Sequence, residues 1–483
     1  MFNLKAKPDQ IDFLAGFSVA LVILPQSLAY AQLAGLPPRY GLFAAALPLI
    51  VFSMFASSPY LQTGPVALTS LLTFGVLTSA NYIPESTNYI GAAALLALFV
   101  GIFRILLGSI KGGWIAYLIS QPVLQGFTGA AAIIIMSSQL PKALGNDLVV
   151  PDGSILNQAF WAIKSPESWN FYAISISIFT IIIMFSSKKI HKLFPGVLFV
   201  SALGIIFVTL EMYNGSVVGD SNEVSNELPS LFTQFNFSQS LNLLIGAIII
   251  AIVGFAEPSA IARTYANEEK SIWNVNRELI ASGLANITSA LNGSFPVGGS
   301  FSRSSLNRVI GAKSQWSGAI TGATVLIFLP FASILNHLPQ AVLGAIVIGA
   351  AIKLFKPKGI IAIFKSSMNH GFITSLTFIL TLALSPNIHY ALIAGMIATF
   401  VLNYLDPASI KAETENDTIR IRVKGLIWHQ NTTKLLNEIV DEIKLHKSKS
   451  IIIDFSNSPG IEHSFINQLE ELATGKDIQL TGL

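Results

Sequence analysis

Apolar and polar residues follow a coarse alternation along most of the chain. From about residue 12 to residue 405, apolar runs of roughly 15–22 residues are separated by short polar breaks. A helix needs roughly 20 apolar residues to cross the hydrocarbon core of a bilayer. The pattern therefore predicts an all-α polytopic membrane protein with about fourteen segments, at 12–33, 40–56, 64–79, 89–107, 118–138, 171–186, 195–211, 241–257, 275–292, 300–311, 315–335, 339–354, 370–385 and 388–404.

The pattern changes after residue 405. Alternating Ile and Val residues predict one strand over 413–424, and shorter apolar runs predict strands over 450–455 and 478–480. Amphipathic spacing predicts helices over 432–445 and 464–473. Strands that alternate with helices indicate a small soluble α/β unit. The sequence thus predicts two domains, a membrane domain over residues 1–405 and a cytoplasmic α/β domain over 406–483.

Two of the predicted membrane segments are short and begin in Gly/Pro-rich breaks. The third begins at Thr63-Gly64-Pro65 and the tenth follows residues 295–299. If the fourteen segments divide into two sets of seven, each of these is the third segment of its set. Matched interrupted helices in two halves are typical of inverted-repeat transporters, whose substrate lies where these helices meet. We therefore expect a seven-plus-seven inverted repeat with short half-helices at positions 3 and 10.

Composition narrows the class of protein. Residues are 52% hydrophobic and only 11% charged, and the mean hydropathy is +0.62, whereas soluble domains carry about 25% charged residues. The chain has no cysteine, which excludes disulfides and thiolate sites, and its seven His residues show no metal-binding spacing. A basic stripe with interleaved aromatics is lacking, so nucleic acid is not expected as a partner. We expect neither an enzyme nor a bound cofactor.

Lys and Arg residues are distributed unevenly between the connections. With the N-terminus inside, sixteen of them, Arg104 included, fall in the N-terminal tail and the inside connections, and three fall outside, namely Arg39, Lys142 and Lys164. Cytoplasmic loops carry the excess of positive charge. We therefore expect a multi-pass protein of the bacterial inner membrane whose two termini are cytoplasmic.

One cation and one anion remain within the predicted segments. Arg303 follows the start of the tenth segment, and Glu257 lies at the end of the eighth. Charges deep in a bilayer are rare and usually functional. The positive N-terminal end of a half-helix favours an anion, so Arg303 predicts a site for a small anion. A buried ion pair that only locks the helices is the structural alternative.

Neighbouring residues extend this hypothesis. Gln26 and Tyr30 lie four positions apart on one helical face and could offer an amide N–H and an aromatic edge to the anion, or only pack between helices. Glu257 could take up a proton when the anion occupies Arg303, which would give proton symport. A carboxylate beside a broken helix can also bind Na⁺, and uncoupled exchange is a third alternative.

Four stretches of the chain resemble the sulfate permease family. They are residues 24–42, which include LPQSLAYA and GLPPRYGL; residues 63–67, TGPVA; Glu257 with residues 261–266, IARTYA; and residues 293–307, GSFPVGGSFSRSSLN. The first and last stretches are long and specific. The C-terminal part of the chain is similar to a STAS domain that looks incomplete, and Glu462-His463-Ser464 stands where many STAS domains carry Asp-Ser.

The resemblance implies a specific architecture and site. It implies core and gate domains, an elevator motion and a homodimer in the lipid bilayer. The anion's implied neighbours are Gln26, Tyr30, Val66, Ser302 and Arg303. Glu257 matches the acid of proton-coupled plant relatives, whereas Na⁺-coupled bicarbonate relatives carry Asp in that region.

The function expected from the sequence is proton-coupled uptake of sulfate. The alternatives within the family are a Na⁺-coupled bicarbonate or dicarboxylate symporter and an anion exchanger or channel. A sensor with a STAS output and a nucleobase carrier are the alternatives outside it. A nucleobase carrier is expected to place acids on both the eighth and tenth segments, whereas the tenth segment here carries Arg303.

Overall fold

The structure is a computed structural model of the chain. It describes residues 7–113, 119–146, 154–190, 194–221, 223–229, 240–269, 271, 273–366, 368–405, 409–415, 418–424, 429–445, 450–457, 465, 469 and 478–481. Contacts between residues divide the chain into two compact units. The first comprises Met1–Ala116, Ala130–Phe355 and Leu382–His389, and the second comprises Tyr117–Gly129, Lys356–Thr381 and Tyr390–Leu483. The domain boundary that the sequence predicts at residues 405/406 stays a prediction.

Helices dominate the described part of the chain. They are α1 (Gln10–Leu33), α2 (Arg39–Ala45), α3 (Leu47–Phe55), α4 (Ala67–Ser79), α5 (Thr87–Ser109), α6 (Gln121–Leu144), α7 (Ile155–Lys164), α8 (Phe171–Ile190), α9 (Gly196–Thr209), α10 (Val218–Ser221), α11 (Ser240–Glu268), α12 (Val275–Leu291), α13 (Phe301–Ile310), α14 (Trp316–Phe328), α15 (Gln340–Leu354), α16 (Pro357–Ser366), α17 (Met368–Ala383), α18 (Ile388–Leu405) and α19 (His429–Leu445). Two 3-10 helices cover Pro166–Ser168 and Leu329–His337.

Twelve apolar stretches stand out in the described ranges. Six are long and apolar enough to cross a membrane: Gln10–Leu33, Thr87–Ser109, Pro122–Leu144, Asn242–Ala266, Trp316–His337 and Gln340–Ile361. Six are shorter: Arg39–Phe55, Ala67–Ser79, Phe171–Ser187, Gly196–Thr209, Met368–Ala383 and Ile388–Leu402. The two other predicted segments coincide with the more polar helices α12 and α13. Each predicted segment thus falls on helical structure, while the number that crosses the bilayer stays a prediction.

The eighth segment is longer than the sequence predicts. Expected to end at Glu257, it continues as α11 to Glu268 with Pro258 inside the helix. Proline removes one main-chain hydrogen bond and usually ends or kinks a helix, which is why the shorter prediction was wrong. Glu257 therefore lies in the interior of α11 rather than at its end.

Close helix packing in the first unit depends on glycine. A Cβ atom at Gly101 of α5 would lie 2.7 Å from the carbonyl oxygen of Gly283 in α12, and a Cβ at Gly283 would lie 2.7 Å from the carbonyl oxygen of Gly101. Small residues at both positions let the two backbones touch, as is common between membrane helices. This contact fixes α12 against α5.

A four-stranded sheet belongs to the second unit. Its strands are β3 (Ser409–Glu415), β4 (Thr418–Lys424), β5 (Ser450–Asn457) and β6 (Ile478–Thr481), in the order β3-β4-β5-β6. The β3–β4 pair is antiparallel and the other two pairs are parallel. The sheet shares an apolar core with α19, formed by Ile419, Ile421, Val423, Leu435, Ile439, Ile453 and Phe455.

The predicted elements of this region are mostly confirmed. The helix over 432–445 and the strands over 450–455 and 478–480 are all present. The single strand predicted over 413–424 is wrong, because β3 and β4 form a hairpin there. The helix predicted over 464–473, with Ser464, lies almost wholly outside the described residues.

Candidate anion site

Two short extended segments bring the N-termini of α4 and α13 together. Strand β1 (Thr63–Gly64) leads into α4, and β2 (Gly298–Gly299) leads into α13. The strands pair antiparallel, with Thr63 opposite Gly299 and Gly64 opposite Gly298. Each helix N-terminus carries about half a unit of positive charge and free main-chain N–H groups. The two positive ends that the sequence predicts therefore meet at one place.

The two N-termini are capped differently. Val66 is the N-cap of α4 and provides no side-chain hydrogen bond, so the first main-chain N–H groups of this helix have no side-chain acceptor at the cap. At α13 the Ser300 hydroxyl accepts from the Arg303 main-chain N–H at 3.5 Å. The α4 end thus offers its first-turn donors to a ligand, since helix N-termini readily bind anions.

Arg303 is the cation of this site. Its side chain is 1% exposed and lies between α1 and the segment that leads into α4. Nη2 donates to the Pro65 carbonyl oxygen at 3.0 Å, and Nη1 donates to Gln26 Oε1 at 3.5 Å. Nε is buried and has no hydrogen-bond partner among the described residues. Since buried donors are almost always satisfied, the guanidinium retains a donor for an anion's oxygen.

Tyr30 and Glu257 share the electrostatic environment of Arg303. Tyr30 is buried on the same helix as Gln26, and the charges of Arg303 and Glu257 both act on it. Glu257 is half-buried on α11 and also interacts electrostatically with Arg303. Opposite charges in a low-dielectric interior interact strongly. Both the transport site and the locking ion pair expected from the sequence need this interaction.

The remaining predicted residues lie at the helix starts. Val66 is buried, and its side chain approaches the position that a Cβ of Gly298 would occupy to 3.1 Å. Ser302 is exposed in the first turn of α13, where its Oγ lies 3.3 Å from Ser300 Oγ. The structure therefore places all six predicted residues around the paired half-helices.

Gly64 is required by the backbone at this point. Its φ angle is +148°, a conformation that side chains other than that of glycine rarely adopt. A Cβ there would lie 3.1 Å from Ile23 Cδ1 and 3.5 Å from Arg303 Nη2. Glycine thus allows the chain to pass directly beside the guanidinium.

The structure differs from the sequence prediction at two buried charges. The sequence predicts Arg104 in a cytoplasmic connection, yet its side chain is fully buried within α5. It predicts Glu257 as the only acid deep in a segment, yet Glu278 in the first turn of α12 is also fully buried. A count of charges inside each apolar run would have found both residues.

Glu278 holds the chain segment that precedes β1. One of its carboxylate oxygens accepts from the main-chain N–H groups of Ser57 and Ser58 at 2.8 and 2.9 Å and from Trp273 Nε1 at 3.2 Å. The acid therefore fixes the approach to the first half-helix rather than facing the anion.

The chain is similar to a known family of proteins in sequence and in fold. The model of the sulfate permease family matches residues 10–377. A relative, the probable sulfate transporter 4.2 of Arabidopsis thaliana, is 29% identical over 96% of this chain and 74% of its own length. Two solved structures share the fold. The structure of SLC26A9 has a TM-score of 0.75 at 20% identity, with coverage of 98% of this chain and 84% of that one. The transmembrane domain of the cyanobacterial bicarbonate transporter BicA has a TM-score of 0.67 at 21% identity, with coverage of 81% and 97%.

The helical fold and the family match define a multi-pass membrane protein of the anion-transporter class. The long apolar helices indicate a membrane protein. The region that the family model matches contains both half-helices, Arg303 and Glu257. The chain belongs to the sulfate permease family, as the resemblance of its four motif stretches predicts.

Proposed function

We propose that this chain is a secondary active transporter that takes up a small inorganic oxyanion, most simply sulfate, together with protons. The observation that carries the proposal is the buried Arg303 guanidinium at the meeting point of two helix N-termini, with its Nε free of any partner among the described residues. In this proposal the anion lies against Arg303 and the start of α4, and Gln26, Tyr30, Val66 and Ser302 complete its surroundings.

The donors at this place match an oxyanion. A tetrahedral oxyanion accepts hydrogen bonds on every face, and guanidinium groups and helix N-termini are the donors that proteins commonly use for such ligands. Gln26 Oε1 accepts from Arg303, which leaves the Gln26 amide N–H₂ group as a further donor. Burial strengthens each of these interactions because the local dielectric is low.

Glu257 supports the proton-coupled form of the proposal. Its negative charge and that of the anion both interact with Arg303, so the two compete for one cation. Arrival of the anion therefore favours uptake of a proton by the Glu257 carboxylate, and departure of the anion favours its release. The same carboxylate beside a broken helix is compatible with Na⁺, which makes Na⁺ coupling the alternative that the experiment must separate.

The wider proposal covers architecture and location. It describes a homodimer in the bacterial inner membrane that works by an elevator motion and carries a cytoplasmic STAS domain over residues 406–483. The sheet β3–β6 with α19 supports the STAS assignment as a small α/β fold. Without Arg104, fifteen Lys and Arg residues still fall on the inner side against three outside, which supports cytoplasmic termini.

Uptake of labelled sulfate into proteoliposomes tests the transport function. We expect accumulation under an inward proton gradient and its loss when the gradient is collapsed, with Arg303→Ala vesicles as the inactive control. Accumulation that instead requires a Na⁺ gradient would replace proton coupling by Na⁺ coupling. No uptake of sulfate under either gradient would refute sulfate as the substrate.

A further inference from the structure

A second buried cation lies inside the first unit. The Arg104 side chain is 0% exposed on α5. Its Nε donates to the Ala251 carbonyl oxygen and its Nη2 to the Ile250 carbonyl oxygen, both at 3.1 Å. Its Nη1 donates to the Val297 carbonyl oxygen at 3.1 Å and to Ser282 Oγ at 2.8 Å.

All four of these acceptors are neutral. Three are main-chain carbonyl groups and one is a hydroxyl group, and within the described residues the structure records no carboxylate within 4 Å of this guanidinium. Buried arginines are normally paired with a carboxylate, because an isolated charge is costly to remove from water. The hydrogen bonds hold the group in place but leave its full positive charge uncompensated by its partners.

The guanidinium lies beside α4 and beside the segment that leads into α13. The Val297 carbonyl that it binds immediately precedes β2, the segment that leads into α13. A Cβ on Gly254 of α11 would lie 2.7 Å from Arg104 Nη2 and 3.0 Å from Cγ2 of Thr69, a residue in the first turn of α4. Gly254 is also only three residues before Glu257. Arg104 thus binds the segment that leads into α13 and lies across Gly254 from the first turn of α4.

We propose that Arg104 is a specificity-determining residue whose buried charge raises the positive potential at the anion site and favours divalent over monovalent anions. The inference rests on the proposed anion site at Arg303. Coulomb energy falls only with the inverse of distance and is weakly screened inside a protein. Arg104 therefore acts on the anion without touching it.

An electrostatic role of Arg104 predicts a fixed relation between its effects on anions of different charge. The energy of an ion in a potential is proportional to the ion's charge, so the effect on a divalent anion is twice that on a monovalent one. The loss of affinity for a divalent anion is then the square of the loss for a monovalent anion of the same shape. A purely structural role of Arg104 disturbs the site for both anions by the same factor.

Sulfate and perchlorate are suitable probes, because both are tetrahedral oxyanions and they differ in charge. We would measure equilibrium binding of each to the purified full chain at one fixed pH. In the Arg104→Gln variant we expect perchlorate affinity to fall on the order of 5-fold and sulfate affinity on the order of 25-fold. The Arg104→Lys variant keeps the charge and should retain both affinities within about 2-fold. Arg422→Gln, at an exposed position on β4, is the control that changes neither.

A matched pair at Ser282 tests the same rule while Arg104 stays in place. Ser282 Oγ lies 2.8 Å from Arg104 Nη1, so the Ser282→Asp variant puts a carboxylate against the guanidinium and neutralises its field. It should show the same square relation between the two anions. The Ser282→Asn variant has nearly the same size without charge and should change both affinities by one common factor.

The outcomes distinguish failure of the proposed role of Arg104 from failure of the proposed anion site. Equal losses for sulfate and perchlorate in Arg104→Gln and Ser282→Asp, or an Arg104→Lys variant as weak as Arg104→Gln, would overturn the role of Arg104 while the anion site stands. If Arg104→Gln does not fold, the Ser282 pair alone decides between the two roles. Wild-type protein that binds neither anion would overturn the proposed function and this inference together.

Discussion

The Nη2 atom of Arg303 donates a hydrogen bond to the carbonyl oxygen of Pro65 at 3.0 Å. Arg303 belongs to α13, and Pro65 immediately precedes the N-cap of α4. The cation of one short helix is therefore anchored at the start of the other. Because β1 and β2 also pair, the two helix starts and the cation form one structural unit.

The Arg303→Ala variant should lose most of its affinity for sulfate. A hydrogen bond to a charged group contributes about 1.5–3 kcal/mol, and this guanidinium has a free buried Nε as well as its full charge. We expect binding that is weaker by roughly 100-fold or more. The sulfate affinity of the Arg303→Lys variant should fall between those of the wild type and the alanine variant, because lysine keeps the charge but lacks the planar set of donors. Binding measured on folded, purified variants checks this, and unchanged affinity of the alanine variant would show that Arg303 serves as a structural lock.

The Glu257→Gln variant should separate binding from coupling. Glutamine preserves the size of the side chain and removes the proton that the carboxylate can carry. We expect sulfate binding and sulfate–sulfate exchange to persist while accumulation driven by a proton gradient disappears. Parallel assays of exchange and of gradient-driven uptake in proteoliposomes measure the two activities. Gradient-driven uptake at the wild-type rate would rule out Glu257 as the coupling residue.

The Gly64→Ala variant should destabilise the site through the backbone. Gly64 has a φ angle of +148°, and a Cβ there would lie 3.5 Å from Arg303 Nη2. Residues forced into sparsely populated backbone regions cost about 1–3 kcal/mol, so we expect a lower melting temperature and weaker sulfate binding. Gly91 in the second turn of α5 is the matched control, since a Cβ there would meet no atom within 4 Å. Gly91→Ala should be neutral or stabilising by up to about 1 kcal/mol. Equal effects of the two substitutions would contradict this account of Gly64.

The sequence predicts the position of each helix better than it predicts the contacts between helices. Long apolar runs and Gly/Pro breaks locate α1, α4 and α13 because hydropathy and chain breaks are local properties. The pairing of β1 with β2 joins residues more than two hundred positions apart and leaves no local signal. Arg104 itself is visible in the sequence as a charge inside an apolar run, but its partners are not. Three of its four acceptors are main-chain carbonyls on distant segments, and carbonyl groups occur at every position of any sequence.

A surface ion pair at the start of α1 should give a small dependence of stability on pH. Lys313 Nζ donates to Asp9 Oδ2 at 2.6 Å, and this hydrogen bond holds the pKa of Asp9 below its ordinary value. A carboxyl group with a lowered pKa stabilises the fold above its unfolded pKa, and that contribution is lost as the pH falls through its folded pKa. Asparagine can still cap the helix, so Asp9→Asn isolates the charge.

We therefore expect Asp9→Asn to melt slightly below the wild type at neutral pH and to converge with it once the pH falls below the lowered pKa of Asp9. Thermal unfolding of the purified protein across this range measures the difference. In a Lys313→Gln background the Asp9→Asn substitution should have little further effect. A difference between wild type and variant that persists in acid would show that the pair does not act through the ionised carboxylate.

The contact between Lys142 and Gln32 is expected to break during transport. Lys142 Nζ donates to Gln32 Oε1 at 2.8 Å and so joins α6 to the end of α1 that carries Gln26 and Tyr30. An elevator or any other alternating-access cycle requires helices beside the substrate site to move relative to their neighbours. The chain has no cysteine, so a Gln32→Cys/Lys142→Cys variant can be joined by a short bifunctional thiol reagent without background labelling. We expect cross-linking to stop sulfate uptake while sulfate binding remains, and each single-cysteine variant treated in the same way to remain active. Full uptake by the cross-linked protein would mean that α1 and α6 keep this contact throughout the cycle, which would exclude relative movement of these two helices from the transport mechanism.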